Sequence, residues 1–194
     1  MAYRVEILDY RPEWAQQYER LAEDIRAIAG KHIVRIDHIG STSVAGLAAK
    51  DIIDIQLSVA ALDRVNALAE LLLPLGLEYM PEYNEDHIPP GSPLQDKMQW
   101  TKAYFRRRGG DVKPDVNLHV RVCGSANQRY ALLFRDFLRA DALTAAAYAE
   151  LKRRIAHHHP DSIADYIDIK DPAFDLIMAA AEMWARQSGW QVPR

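Results

Sequence analysis

Apolar residues recur at three- and four-residue steps from Trp14 through Tyr18, Leu21 and Ile25 to Ile28. That spacing lays one stripe along one side of an α-helix. Pro12 suits its first turn and Gly30 its stop. Ahead of it, Tyr3 to Leu8 alternates loosely and predicts a first strand or an extended arm. Beyond Gly30 the pattern changes to period two. Ile33 to Ile39 predicts a strand ending at Gly40, with Val34, Ile36 and His38 on one face. From Ile52 to Val59 the alternation is sharper. Ile53, Ile55, Leu57 and Val59 share one face, and Asp54, Gln56 and Ser58 share the other.

Asp63 to Leu73 predicts a helix closed by Pro74 and Gly76, and Leu77 to Met80 a short strand. Residues 81–97 carry Pro81, Pro89, Pro90, Gly91 and Pro93, which predicts a long loop of the kind that forms lids. Asp86 and His87 ride on it and could reach a site, with a solvated loop as the leading expectation. Met98 to Arg106 and Asp115 to Cys123 both alternate and flank Gly109-Gly110-Asp111, which predicts a hairpin. In the second strand Val116, Leu118, Val120 and Val122 oppose Asn117, His119, Arg121 and Cys123.

The rest of the chain reads as helical. Ser125 and Gln128 resemble a capping box for a helix to about Arg139, with Leu133, Phe134, Phe137 and Leu138 as its core. Asp141 caps a second helix running to Ile155. A short segment follows from Asp161-Ser162 to Lys170, and Asp171-Pro172 is read as the start of a last helix that Gly189 stops. The class is therefore α+β: a mixed sheet of four or five strands, an N-terminal helix and a C-terminal helical segment. One domain spans 1–194, sheet-bearing to about 124 and helical from about 125.

Composition narrows the setting. With 194 residues, 49% of them hydrophobic, the chain can bury a sizeable core. A formal charge of -3 gives no strong nucleic-acid signal. The single cysteine, Cys123, excludes an internal disulfide and fits a reducing cytoplasm; it is expected as an inert buried thiol. No apolar run is long enough to span a bilayer, so no membrane partner is expected. His157, His158 and His159 are consecutive and point in different directions on a helix, which argues against a metal site.

Chemistry concentrates between residues 38 and 59. Gly40 permits close backbone approach, and Ser41, Thr42 and Ser43 follow at a predicted helix start, a combination that suits phosphate. Asp54 projects from the polar side of the next strand and suits a divalent ion shared with phosphate oxygens, Mg²⁺ or Mn²⁺. Asp54 as general base with His119 as acid, without metal, is the alternative.

The string His38-Ile39-Gly40-Ser41-Thr42-Ser43-Val44, with Gly46-Leu47-Ala48-Ala49-Lys50 and Ile52-Ile53-Asp54-Ile55, resembles the GrpB family. Gly40-Ser41 followed by Asp54 is similar to the pattern of the nucleotidyltransferase fold. Later motifs extend the resemblance over nearly the whole chain: Asn117-Leu118-His119-Val120, Phe134-Arg135-Asp136-Phe137-Leu138-Arg139, and the pairs Tyr148 with Lys152 and Tyr166 with Lys170. The resemblance implies a nucleotidyltransferase-like mixed sheet. It implies an anion pocket in which Arg129, Arg135, Arg139, Lys152 and Lys170 converge on Gly40-Ser41, helped by Lys50, Tyr148 and Tyr166. Relatives fused to dephospho-coenzyme A kinase imply a link to nucleotide or coenzyme A metabolism.

The nucleotidyltransferase pattern also implies two metal ions held by paired carboxylates two residues apart and a third on a neighbouring strand. Here Gln56 holds the second position, and Asn117, His119 and Arg121 occupy the third strand. The candidate metal set is therefore Asp54, Gln56 and His119, and the candidate catalytic pair Asp54 and His119. Three readings follow. The chain binds a nucleotide or phosphorylated metabolite with possible nucleotidyl transfer; or it is a catalytically inactive sensing or partner-binding module; or it is a metal-dependent phosphohydrolase.

Overall fold

The computed structural model describes residues 4–109 and 113–193. Tyr3, Gly110 and Asp111, named above for a strand and a turn, lie outside them. The striped helix forms as α1, Glu13–Ala29, and buries Trp14, Tyr18, Leu21 and Ile25. The strands are β1 Arg35–Ile39, β2 Ile52–Val59, β3 Glu78–Tyr79, β4 Ala103–Arg107 and β5 Asp115–Val122. Helix α2, Val65–Leu72, lies between β2 and β3 in sequence. Three helices close the chain: α3 Ala126–Ala140, α4 Ala142–His158 and α5 Ile163–Ser188.

The strands make one mixed sheet in the order β1-β2-β5-β4-β3. The central pair, β2 with β5, is parallel, and the other pairs are antiparallel. Register sets Asp54 opposite Asn117, Gln56 opposite His119 and Ser58 opposite Arg121. The alternate residues Ile53, Ile55 and Leu57 meet Val116, Leu118 and Val120 on the other face, where α1 and α2 cover them. A second apolar cluster joins Val44, Leu47 and Ala48 to α3, α4 and α5. The architecture is thus the expected α+β sheet with helices at both ends of the sequence.

Boundaries moved where a local turn competed with the alternation. Gly30–His32 winds as a 3₁₀ turn, so β1 starts at Arg35, not Ile33, and Val34 is exposed. Lys97–Trp100 is also a 3₁₀ turn, because the Asp96 side chain accepts from the Met98 amide at 3.0 Å. Described residues before Leu8 form an extended arm: Leu8 bridges Ala49, and the Val5 amide donates to Pro160 O at 2.7 Å. Ser125 does not cap α3; its hydroxyl donates to Val122 O instead. Asp141 does cap α4, accepting from the Thr144 amide at 2.8 Å.

The largest departure is at Pro172. The short segment and the last helix are one element, α5, which opens on the Ser162 side chain and runs through the proline. A proline inside a helix costs about 3 kcal/mol in lost hydrogen bonding and steric conflict. Burial of Tyr166 before it and of Met178 and Ala181 after it offsets that cost.

Candidate functional site

Gly40 turns the chain from β1 into the site with φ +68°. A Cβ at this position would lie 2.8 Å from Cγ of Asp54, so the residue must be glycine both for its backbone and for its space. Ser41–Ser43 then make a single 3₁₀ turn, shorter than a helix start. Two of its hydroxyls brace the turn. Thr42 Oγ1 donates to Ile52 O and lies 3.1 Å from His38 Nε2. Ser43 Oγ donates to Gly40 O at 2.6 Å. Ser41 meets the cavity, where Lys152 Nζ lies 2.8 Å from its Oγ. Lys152 also donates to Ala48 O.

The cavity has a volume of about 420 Å³, within the range of small-molecule sites. Gly40, Ser41, Asp54, Lys50, Lys152 and Lys170 line one end. Tyr148 and Tyr166 stand beside the lysines: Lys152 lies 4.5 Å from the Tyr148 ring centre and Lys50 5.1 Å from that of Tyr166. Lys170 bonds Asp171 at 2.8 Å. The aromatic side chains of Trp100, Tyr130, Phe134 and Phe174 form a wall. An ion cluster lines the same cavity. Asp86 accepts from Lys102 at 2.6 Å, from Arg121 Nε at 2.8 Å and from Asn127 at 3.0 Å.

Burial shapes the charges. Desolvation pushes the Asp54 carboxyl up, against a hydrogen bond from Asn117 at 2.6 Å and the charge of Lys50. Desolvation lowers Lys152 to about 7, helped by Lys170, and lowers Lys50 as well. Burial holds His119 well below the ordinary imidazole range, with Arg121 and Lys102 adding to the effect, so its ring is neutral at pH 7. Asp86 goes the other way: Arg121 and Lys102 outweigh its own desolvation and hold it below the usual carboxylate range.

The donors do not suit a resident pair of metal ions. The Gln56 side chain is fully buried and its Oε1 accepts from Arg121 at 2.6 Å. Asn117 Oδ1 accepts from Tyr104 at 2.6 Å and from Arg108. Asp54 is then the carboxylate left at that end of the polar face. Among the described residues no group of three or more His, Cys, Asp or Glu gathers to hold a metal.

Of the expected site residues, Gly40, Ser41, Thr42, Lys50, Asp54, His119, Tyr148, Lys152, Tyr166 and Lys170 line the cavity. Ser43 and Gln56 sit behind it. The arginines do not converge there. Arg139 grips Ser43 O with two nitrogens, at 2.8 and 3.1 Å. Arg135 bonds His38 O and pairs with Asp136 and Asp37. Both hold the loop from its far side. Arg129 turns away to Glu182. His38 is neutral, stacked on Tyr18, and braces Thr42. Cys123 is exposed, not buried. Lys102 was not anticipated, and Asp86, for which solvent was the leading expectation and a site the alternative, lines the cavity. Their signal was the alternation that puts Lys102 in phase with Tyr104, but nothing in the sequence marks which charged residue of the 81–97 loop turns inward.

A model of the GrpB protein family matches residues 4–180. The chain belongs to the GrpB family. Its structure superposes on the crystal structure of the conserved protein GrpB from Enterococcus faecalis with a TM-score of 0.75 and 31% identity, covering 92% of this chain and 99% of that one. It is 33% identical over 183 residues to the UPF0157 protein YqkA of Bacillus subtilis, 94% of this chain and 49% of the relative. It is 32% identical over 191 residues to a dephospho-CoA kinase of Mycolicibacterium paratuberculosis, 93% of this chain and 46% of the relative. The chain thus spans about half the length of these curated relatives. No helix among the described residues is long and apolar enough to cross a membrane.

Proposed function

We propose that the cavity binds a nucleotide or another phosphorylated metabolite, with the phosphate beside the Gly40-Ser41 loop on the side of Lys50 and Lys170. One observation carries this reading: Lys50, Lys152 and Lys170, all half-buried or buried, line the same cavity as Ser41. Cations kept out of water need anions, and an incoming phosphate supplies one where burial already disfavours the charged forms of Lys50 and Lys152. The aromatic wall suits a flat or apolar ligand body, as a base or a pantetheine-like arm would offer. The half-length match to dephospho-CoA kinases puts coenzyme A precursors among the ligands to try.

Within this reading, binding is favoured over two-ion nucleotidyl transfer or phosphate hydrolysis. The specific support is Gln56, whose oxygen is committed to Arg121 where a second carboxylate would be needed. Asp54 is held in one orientation by the hydrogen bond from Asn117. The setting we favour is the cytoplasm, where such metabolites occur.

The test is a thermal-shift panel of nucleotides, dephospho-coenzyme A and coenzyme A, each with and without Mg²⁺ and Mn²⁺. At least one phosphorylated ligand should raise the melting temperature. Lys170→Met should then weaken that ligand by about 10- to 100-fold in calorimetry, the equivalent of about 1.5–3 kcal/mol for a lost charge-assisted contact. A panel without any shift, or unchanged affinity in the variant, removes the reading. Pyrophosphate release from a nucleoside triphosphate would remove its binding-only form.

A further inference from the structure

Phosphate binding leaves one short polar contact of the cavity without a role. Ser41 Oγ and Lys152 Nζ are 2.8 Å apart, on a turn and a helix that are distant in sequence. Lys152 is 2% exposed, yet its amine lines the cavity. It leaves α4 one turn after Tyr148, whose hydroxyl is itself a hydrogen-bond partner of Ser41. Nζ has a second fixed acceptor in Ala48 O. A neutral amine keeps two N–H groups and one lone pair. It can donate to Ala48 O and turn its lone pair to the Ser41 hydroxyl.

The surroundings favour that neutral form. Lys170 and Lys50 line the same cavity, and Arg153 follows on α4; all three oppose a charge on Lys152, while Asp54 supports one. With burial, these neighbours bring the amine to about 7. A hydroxyl beside a desolvated lysine among other cations is the arrangement of an activated nucleophile and its base.

We propose that Ser41 is a nucleophile and Lys152 its general base, acting on the carbonyl of an ester or thioester held in this cavity. A carbonyl is neutral and leaves Lys152 neutral. An anionic phosphate at the same point would hold the lysine charged and silence it, so a phosphorylated substrate must seat its phosphate farther along, towards Lys50 and Lys170.

In the first step Ser41 Oγ bonds to the carbonyl carbon while its proton passes to Lys152 Nζ. The carbonyl oxygen takes the negative charge, which the neighbouring lysines favour. The bond from carbon to the leaving oxygen or sulfur then breaks, and Lys152 returns the proton to that atom. Water next attacks the Ser41 ester with the same base, releasing a carboxylic acid and the free serine.

The inference rests on the cavity being a ligand site, not on which ligand binds. The test uses the full chain with two probes: p-nitrophenyl acetate for acyl transfer, and a fluorophosphonate, which loses fluoride as Oγ bonds to phosphorus, as an irreversible trap. Peptide mapping should find the fluorophosphonate on Ser41, and p-nitrophenol should be released in a burst. Ser41→Ala should abolish both. Lys152→Met, which keeps length without an amine, should slow labelling by roughly 10²-fold or more, the scale of a lost general base.

No adduct, an adduct on another residue, or labelling of Lys152→Met at the original rate overturns the proposal. Should either variant not fold, mapping on the unaltered chain and burst kinetics decide. A thermal shift with phosphorylated ligands but no adduct removes this proposal and leaves the binding reading. An adduct without any such shift does the reverse.

Discussion

The two faces of the central sheet are both buried, and they are held by different physics. On one face Ile53, Ile55, Leu57, Leu118 and Phe105 are fully buried under α1 and α2, with no polar atom among their side chains. On the other, Gln56 and Ser58 are just as buried. There a chain of hydrogen bonds replaces packing: Ser58 accepts from Gln128 at 2.8 Å, Gln56 accepts from Arg121, and Arg121 donates to Asp86. The apolar face asks only for volume. The polar face asks for particular partners, because each loss strands another buried group. The face that specifies partners is the one that opens into the cavity.

The contrast can be tested by substitution. The largest effect is expected on the apolar face, where Leu118→Ala should cost about 4 kcal/mol in urea unfolding, the cavity cost of a buried leucine, while any ligand-induced shift survives. Arg121→Met should cost about 3 kcal/mol, since it leaves part of the Asp86 charge and the Gln56 oxygen uncompensated. It should also change the acid limb. The folded-state Asp86 carboxyl is held below its unfolded value of 3.8. Its stabilisation is therefore complete above that pH and is lost as pH falls through the lower, folded value. Unfolding followed against pH should show a weaker acid loss in Arg121→Met than in Leu118→Ala; equal limbs would break the distinction between the faces.

Asp54 tests the polar face from the opposite direction. Burial raises its folded-state carboxyl above 3.8, so its ionisation opposes folding once pH exceeds the unfolded value. Asp54→Asn should then raise stability at pH 7 by on the order of 1 kcal/mol, and the gain should shrink as pH falls below about 4. A destabilised variant at pH 7 would mean that the bond from Asn117 outweighs desolvation. The smallest effect belongs outside both faces. Arg154 and Glu150 pair in solvent on α4, and Arg154→Ala should change the unfolding free energy by no more than about 0.5 kcal/mol.

The same division explains what could be read without a structure. Apolar alternation in β2 and β5 and the stripe of α1 name their own positions, since the solvent side and the core side differ in residue type. The loop with Asp54 was legible because Gly40 and the carboxylate are only 14 positions apart in sequence and belong to one recognisable string. The cations were not so legible. Arg129, Arg135 and Lys152 lie on helices with similar local patterns, yet one finds Glu182, one grips His38 O and one reaches Ser41. Arg129 and Arg135 even share α3, and only the packing of each helix face in the fold separates the three. Asp86 was hidden for the same reason: its partners come from β5, α3 and the strand-side residue Lys102. Pro172 misled because packing on both of its sides is invisible to a rule about one residue.

The parallel pairing of β2 with β5 has a consequence for how the chain acquires its site. Asp54 meets Asn117 across 63 residues, and Gln56 meets Arg121 across 65. Contacts this remote must overcome loop closure before they reward the chain, so they form slowly relative to local structure. During synthesis at 5–20 residues per second, β5 follows β2 by roughly 3–13 s. For that interval β2 is an edge, with a row of unpaired amides and carbonyls open to any other nascent strand. An acidic side chain on an exposed edge discourages such pairing. Asp54 would then guard the immature strand against aggregation before Asn117 arrives to claim it.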